Sequence, residues 1–83
     1  MKNISVEEKV KEILVDKLVL SLDDISNHDN LENDLMADDL DVIDIVMELE
    51  DFYDIEIRDD VVTNIETVQD LVNCVQDLVD DDE

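Results

Sequence analysis

The sequence contains no glycine and no proline, so the residues that most often end helices and strands are missing. Element boundaries must therefore be inferred from hydrophobic periodicity and from capping residues. A single cysteine, Cys74, excludes a disulfide within the chain and predicts a reducing, cytoplasmic compartment. No apolar run approaches the roughly 18 residues of a membrane span, and no basic stretch leads into an apolar one near the N-terminus. We expect neither a transmembrane helix nor a signal peptide.

Side-chain arrangements typical of catalysis are missing as well. The sequence holds no Ser-His-Asp arrangement and no glycine-rich phosphate loop. His28 stands alone in a polar segment, and Cys74 has no partner histidine, so we expect a solvated side chain and a half-buried thiol. Phe52 and Tyr53 are the only aromatic residues and cannot wall a pocket around paired carboxylates. We therefore expect a protein that is not an enzyme.

Basic residues are scarce: 5 against 27 acids, for a net charge of −22. Residues 1–17 are neutral, and Arg58 is the only base in residues 18–83. Disorder is not expected, because Leu, Ile, Val and Phe make up 31 of the 83 residues. Such a polyanion repels nucleic acid and anionic membranes and favours basic protein surfaces as partners. The length predicts one domain, with a core in residues 4–79 and an acidic tail, 80–83, that frays.

Hydrophobic periodicity predicts an all-α bundle of three main helices and one short one. A Ser5–Glu8 capping box begins the first helix, and a similar Thr67–Asp70 arrangement begins the last. A long connection, whose apolar residues Leu22, Ile25, Leu31 and Leu35 should tuck under it, separates helices one and two. The predicted ranges are 5–19 for helix one, 20–37 for the connection, 39–53 for helix two, 59–64 for the short helix and Val68–Val79 for the last.

Helix two has two apolar faces, although one suffices to pack on a core. The natural core face consists of Val42, Ile45, Val46, Leu49 and Tyr53. The second, which we call the apolar stripe, consists of Leu40, Ile43 and Met47, with Asp41, Asp44, Glu48 and Asp51 around it. Either helix two is central and buried on both sides by helix one and the last helix, or the stripe is exposed for docking to a basic partner. The many carboxylates favour docking.

Carboxylates also raise the question of a metal site. An EF-hand starting at Asp39 is excluded, because Asp44 stands where the loop requires glycine. Loose Ca²⁺ or Mg²⁺ binding, as charge relief, is predicted at Asp38 with Asp41 and at Glu50 with Asp54 and Glu56. We expect no specific metal site.

Several segments resemble bacterial-type acyl carrier proteins. "LMADDLDVIDIVMELEDFYDIEI" is similar to the second-helix core of that family, "VEEKVKEIL" to its first helix, "DDISNHDNLENDL" to its long loop and "IETVQDLVNCV" to its final helix. The resemblance covers residues 4–79 and implies a four-helix bundle with a short third helix. It also implies a phosphopantetheine arm that carries acyl chains, and a second helix that docks on basic patches of acyl-chain synthesis enzymes and of a holo-carrier synthase. By that resemblance the docking surface consists of Asp38, Leu40, Asp41, Ile43, Asp44, Met47 and Glu48.

The main departure lies at the attachment site. The family attaches its arm to the Ser of Asp-Ser-Leu, and this chain has Asp38-Asp39-Leu40 there. A carboxylate is a poor nucleophile for this transfer, and its product would be a hydrolysable acyl-phosphate anhydride, so we expect no arm at Asp39. We expect Asp39 to cap helix two instead. Met36, where the family often has Gly, and Arg58, where it often has Pro, are further departures.

Three functions fit this sequence. The first is a monomeric, carrier-type docking protein of fatty-acid or related synthesis that is arm-free as written. The second is a non-carrier interaction or regulatory paralogue that binds carrier partners without being loaded. The third is a polyanionic mimic that binds nucleic-acid-binding proteins.

Overall fold

The chain folds into four α-helices around one core. The structure is a computed structural model that describes the backbone of residues 5–81 and the side chains of residues 5–79. The helices are α1 (Val6–Leu18), α2 (Asp39–Tyr53), α3 (Asp59–Thr63) and α4 (Val68–Asp81), with a single 3-10 turn at Leu22–Asp24. The predicted all-α bundle with a short third helix is confirmed. α4 continues through Asp81, beyond its predicted end, and residues 82–83 of the predicted tail lie outside the described residues.

α1 begins and ends where its local sequence dictates. The Ser5 hydroxyl accepts a hydrogen bond from the Glu8 amide at 3.1 Å, and the Glu8 carboxylate accepts one from the Ser5 amide at 3.1 Å. These reciprocal bonds satisfy two amides that lack helical partners. The helix stops at Val19, whose φ of 56° is left-handed. The predicted capping box is confirmed.

α1 is the central helix, because it packs against both α2 and α4. Its side chains Val10, Ile13 and Leu14 are buried, and α4 contributes a matching face. The predicted alternative in which α2 is sealed between two helices is wrong, because Leu40, Ile43 and Met47 of α2 are exposed. The remaining core comes from α2, the long connection and the segment before α3. Its buried apolar members are Val6, Ile25, Leu31, Leu35, Ala37, Ile45, Val46, Leu49, Ile57, Val68, Leu71, Val72 and Val75.

The long connection caps α4. The carbonyls of Asp29 and Asn27 accept hydrogen bonds from the first amides of α4, those of Val68 at 3.0 Å and Gln69 at 2.9 Å. The Asn27 amide group also donates to the Gln69 side chain at 2.7 Å. These bonds satisfy donors that a helix cannot satisfy itself and hold the connection against the bundle. Thr67 and Asp70 add the predicted reciprocal cap, with both bonds at 3.1 Å.

The connection also positions the start of α2. Ile25, Leu31 and Leu35 are buried, as predicted. Leu22, expected to be buried too, is 61% exposed because it opens the 3-10 turn, all three of whose side chains face solvent. Met36 has a φ of 63°, which glycine adopts without strain and other residues adopt at a cost of about 1–2 kcal/mol.

Within residues 5–81, no helix is long and apolar enough to cross a bilayer.

Candidate docking surface and residue 39

The N-terminus of α2 is capped by Asp38. Its backbone is extended, with a φ of −94°, and its carboxylate accepts a hydrogen bond from the Asp41 amide at 2.9 Å. The Asp41 carboxylate in turn accepts one from the Asp38 amide at 3.3 Å. Two acidic side chains thus form the same box that Ser5 and Glu8 form in α1, and both lie where the helix dipole favours negative charge.

Asp39 does not cap the helix, which corrects the sequence-based expectation. It is the first helical residue and is exposed, and its carboxylate has no partner among residues 5–79. The reason is geometric: a capping side chain comes from the extended residue before the helix, so the role belongs to Asp38. Asp39 stabilises α2 only through its charge near the helix N-terminus.

The apolar stripe lies on the surface. Leu40 is 71% exposed, Ile43 46% and Met47 58%. On the opposite face Ile45, Val46 and Leu49 are buried, while Val42 and Tyr53 are half-buried and pack against the core. The predicted division of α2 into a core face and an exposed stripe is confirmed, and the docking role of the stripe stays a prediction.

The carboxylates around the stripe are not equivalent. Asp44 and Asp51 are exposed, and neither has a partner within the described side chains. Glu48, by contrast, pairs with Lys17 at the end of α1, with 3.3 Å between Nζ and Oε1. Sequence reasoning missed this pair, because residues 18–57 contain no base and only the packing of α1 on α2 brings Lys17 there.

A cleft of about 700 Å³ opens beside Asp39. Val42 and Ile43 of α2 line one side, and Val62, Thr63 and Ile65 line the other. The Thr63 hydroxyl is the only serine or threonine hydroxyl among the described residues that line the cleft, and it donates to the Asp59 carbonyl at 3.0 Å. The start of α2 therefore presents a carboxylate, and no alcohol oxygen, at its first position.

Three of the five predicted carboxylates, those of Asp38, Asp41 and Glu50, accept hydrogen bonds from backbone amides. Asp38 and Asp41 cap α2, and Glu50 accepts a hydrogen bond from the Ile57 amide at 2.7 Å. Nowhere in the described part of the chain do three or more His, Cys, Asp or Glu side chains form a group that could hold a metal ion. Weak Ca²⁺ or Mg²⁺ binding stays a prediction that rests on net charge.

Two titratable groups have shifted pKa values. Burial raises the pKa of the Tyr53 phenol above 10.0, and the nearby Lys9 ammonium opposes that shift. Lys9 lies 4.0 Å from the centre of the Phe52 ring, which meets the Tyr53 ring edge to face. Burial, and then the Asp77 carboxylate, raise the pKa of the Cys74 thiol, so Cys74 is a poor nucleophile.

These features define an acidic four-helix bundle in which α2 exposes apolar side chains beside unpaired carboxylates. The sequence profile described as "phosphopantetheine attachment site" matches residues 8–75. An acyl carrier protein of Picosynechococcus sp. is 41% identical over 73 residues, which cover 88% of this chain and 90% of that protein. The crystal structure of an acyl carrier protein from Thermotoga maritima superposes with a TM-score of 0.80 at 29% identity, over 92% of this chain and 88% of that one.

The chain therefore belongs to the acyl carrier protein family, and it is a carrier-type protein and not an enzyme. That family uses phosphopantetheine as its prosthetic group. The resemblance implies attachment to a Ser at residue 39, and the Asp39 side chain offers a carboxylate oxygen there instead of an alcohol oxygen. The absence of an arm stays a prediction.

Proposed function

We propose that this chain is a carrier-type docking protein of fatty-acid or related acyl-chain synthesis that presents α2 to basic enzyme surfaces and carries no arm at Asp39. The observation that supports this proposal best is the exposed apolar stripe, Leu40, Ile43 and Met47, beside the unpaired carboxylates of Asp44 and Asp51. Apolar contact supplies affinity, while complementary charge orients the partner and speeds association.

The location of the negative charge supports a basic partner. α2 contains no base, and Asp44 and Asp51 remain unpaired in the described side chains. Unpaired carboxylates on one helix face create a local negative potential that attracts cationic groups and weakens with salt. The charge therefore favours basic protein surfaces as partners, and neither nucleic acid nor a membrane. Family membership points to those of acyl-chain synthesis enzymes and of a holo-carrier synthase. A cytoplasmic location and a monomeric state stay predictions.

A second candidate is a regulatory paralogue that binds the same enzymes without being loaded. The exposed Asp39 favours it, since this carboxylate has no partner among residues 5–79 and the fold therefore does not require it. The two candidates share the docking surface and differ in whether the rest of the chain supports an arm once a serine is present.

A loading experiment tests the arm-free proposal and separates the two candidates. The chain is incubated with a holo-carrier synthase and coenzyme A, and its intact mass is measured. The parent protein and the Asp39→Asn control should not change in mass, whereas Asp39→Ser should gain one arm if this is a carrier. A gain by the parent contradicts the proposal, and no gain by Asp39→Ser favours the regulatory paralogue. Adding Thr63→Ala to Asp39→Ser should leave the gain intact, because the Thr63 hydroxyl bonds within α3.

A binding experiment tests the docking surface. Binding of the chain to the same synthase should weaken as salt rises, and Met47→Ala and Asp44→Lys should each weaken it at low salt. Leu22→Ala and Asp23→Lys are matched controls, because they change the same kinds of exposed residue in the long connection. An equal loss from Asp44→Lys and Asp23→Lys would show that only net charge matters, as expected for a polyanionic mimic.

A further inference from the structure

A shallow groove of about 610 Å³ lies between the end of α1 and the outer face of α2. Met47 lines it, together with four carboxylates and one cation. The cation is Lys17, and the carboxylates are those of Asp44, Glu48, Glu50 and Asp51. The groove adjoins the apolar stripe, so a partner that covers Met47 also reaches this groove.

Lys17 already holds one of these carboxylates. Its Nζ lies 3.3 Å from Glu48 Oε1, and the two side chains are 36% and 45% exposed. Among the described residues this is the only ion pair that joins α1 to α2. A partner cation that approached Glu48 would therefore compete with Lys17 and be repelled by it.

Asp44 is one helical turn before Glu48 and has no such competitor. The two residues are four apart and so share a face of α2. Asp44 is exposed and unpaired within residues 5–79. The groove thus contains two neighbouring carboxylates of the docking surface, one open to a partner and one internally neutralised.

We propose that Lys17 determines which carboxylates of the docking surface a partner uses, by neutralising Glu48 and directing the partner's cation to Asp44. The fitting partner is a basic protein surface with an apolar side chain over Met47 and a cation beside Asp44. This inference rests on the proposed docking function. It makes Lys17, which lies outside α2, a specificity-determining residue.

The alternative is that the Lys17–Glu48 pair only joins two helices. Exposed ion pairs contribute little to folding, so a purely structural pair would leave partner binding almost unchanged when it is removed. The two roles therefore differ in their effect on binding.

The experiment measures binding of the holo-carrier synthase to charge variants at low salt. Lys17→Met should bind about two- to fivefold more tightly than the parent, the range expected when one exposed ion pair is gained. Lys11→Met is the matched control, because it removes the same charge and breaks a pair with Glu7, at 3.2 Å, within α1. It should change binding much less.

Glu48→Gln supplies the second comparison of this experiment. It should weaken binding more in the Lys17→Met background, where Glu48 is open to the partner, than in the parent, whereas Asp44→Asn should weaken binding in both. Equal gains from Lys17→Met and Lys11→Met, or an equal loss from Glu48→Gln in both backgrounds, would overturn the inference while leaving the docking function intact. Absence of binding by every variant would instead contradict the docking function itself. Circular dichroism spectra confirm that each variant is folded.

Discussion

α1 and α2 are neighbouring helices of 13 and 15 residues that begin with the same kind of capping box, but their outer surfaces differ. The three lysines of α1 all pair with carboxylates, and no large apolar side chain between Val6 and Leu18 is exposed. α2 has no base of its own and exposes four large apolar residues: Leu40, Ile43, Met47 and Phe52.

This difference shows which residues of α2 are required for folding and which are not. α1 shows that a helix of this bundle can bury its large apolar residues and balance its charges. The buried residues Ile45, Val46 and Leu49 already attach α2 to the core, so the apolar stripe is not needed for packing. Exposed apolar residues with no folding role typically mark a contact surface.

The largest expected change in the free energy of unfolding comes from truncating core residues, and substitutions in the apolar stripe provide the comparison. Leu14→Ala in α1 and Leu49→Ala in α2 remove fully buried side chains, and each should lower the free energy of unfolding by about 2–5 kcal/mol. Leu40→Ala should change it by less than about 0.5 kcal/mol, because Leu40 is exposed. Urea unfolding followed by circular dichroism measures all three. A cost for Leu40→Ala as large as that for Leu49→Ala would mean that the stripe serves the fold.

The two capping boxes should prove equivalent although their side chains differ. Ser5→Ala and Asp38→Ala should each lower the free energy of unfolding by about 0.5–2 kcal/mol. Asp39→Ala should cost only the charge–dipole contribution, about 0.3–1 kcal/mol. The same unfolding measurement at low salt compares the three variants. A larger cost for Asp39→Ala than for Asp38→Ala would contradict the observed cap.

Added cations should stabilise the folded chain, because its negative charge is largely unpaired on α2 and balanced only on α1. A net charge of −22 opposes folding by self-repulsion, so MgCl₂ should raise the melting temperature. Each kcal/mol gained corresponds to about 4–8 °C for a domain of this size. NaCl at equal ionic strength is the control: a smaller rise indicates divalent binding, and an equal rise indicates screening alone. An unchanged melting temperature with MgCl₂ would contradict the predicted binding.

The smallest expected effect is a shift in the pKa of the Tyr53 phenol of α2, which Lys9 of α1 opposes. Because burial raises the pKa of Tyr53, phenolate absorbance should titrate above 10.0 in the folded chain and lower in urea. The resulting stability is fully present below the unfolded-state pKa and is lost as pH rises through the folded-state pKa. With one Tyr and no Trp the signal is unambiguous. Lys9→Met should raise this pKa further, and a folded-state midpoint at or below that in urea would contradict the burial.

Much of the fold could be predicted from local patterns. The Ser5–Glu8 box and apolar periodicity located α1 within one residue at each end, and α2 matched its predicted range. The stripe was predictable because helical periodicity separates Leu40, Ile43 and Met47 from the core face. The left-handed backbone at Met36 accounts for the glycine that the family often has there.

Other features depended on the path of the backbone. Which aspartate caps α2 could not be read from the Asp38-Asp39 pair, since either can be the last extended residue. The exposure of Leu22 was missed because loop residues follow no fixed period that assigns a side chain to the core.

Residue identity, and spacing along one helix, account for the helices, the negative charge, the absence of an alcohol oxygen at residue 39 and the existence of the apolar stripe. Three further features depend on how the helices pack: α1 is central, the stripe faces outward and Lys17 neutralises Glu48. These features join residues far apart in sequence, and their positions follow from how whole helices pack to bury the largest apolar surface.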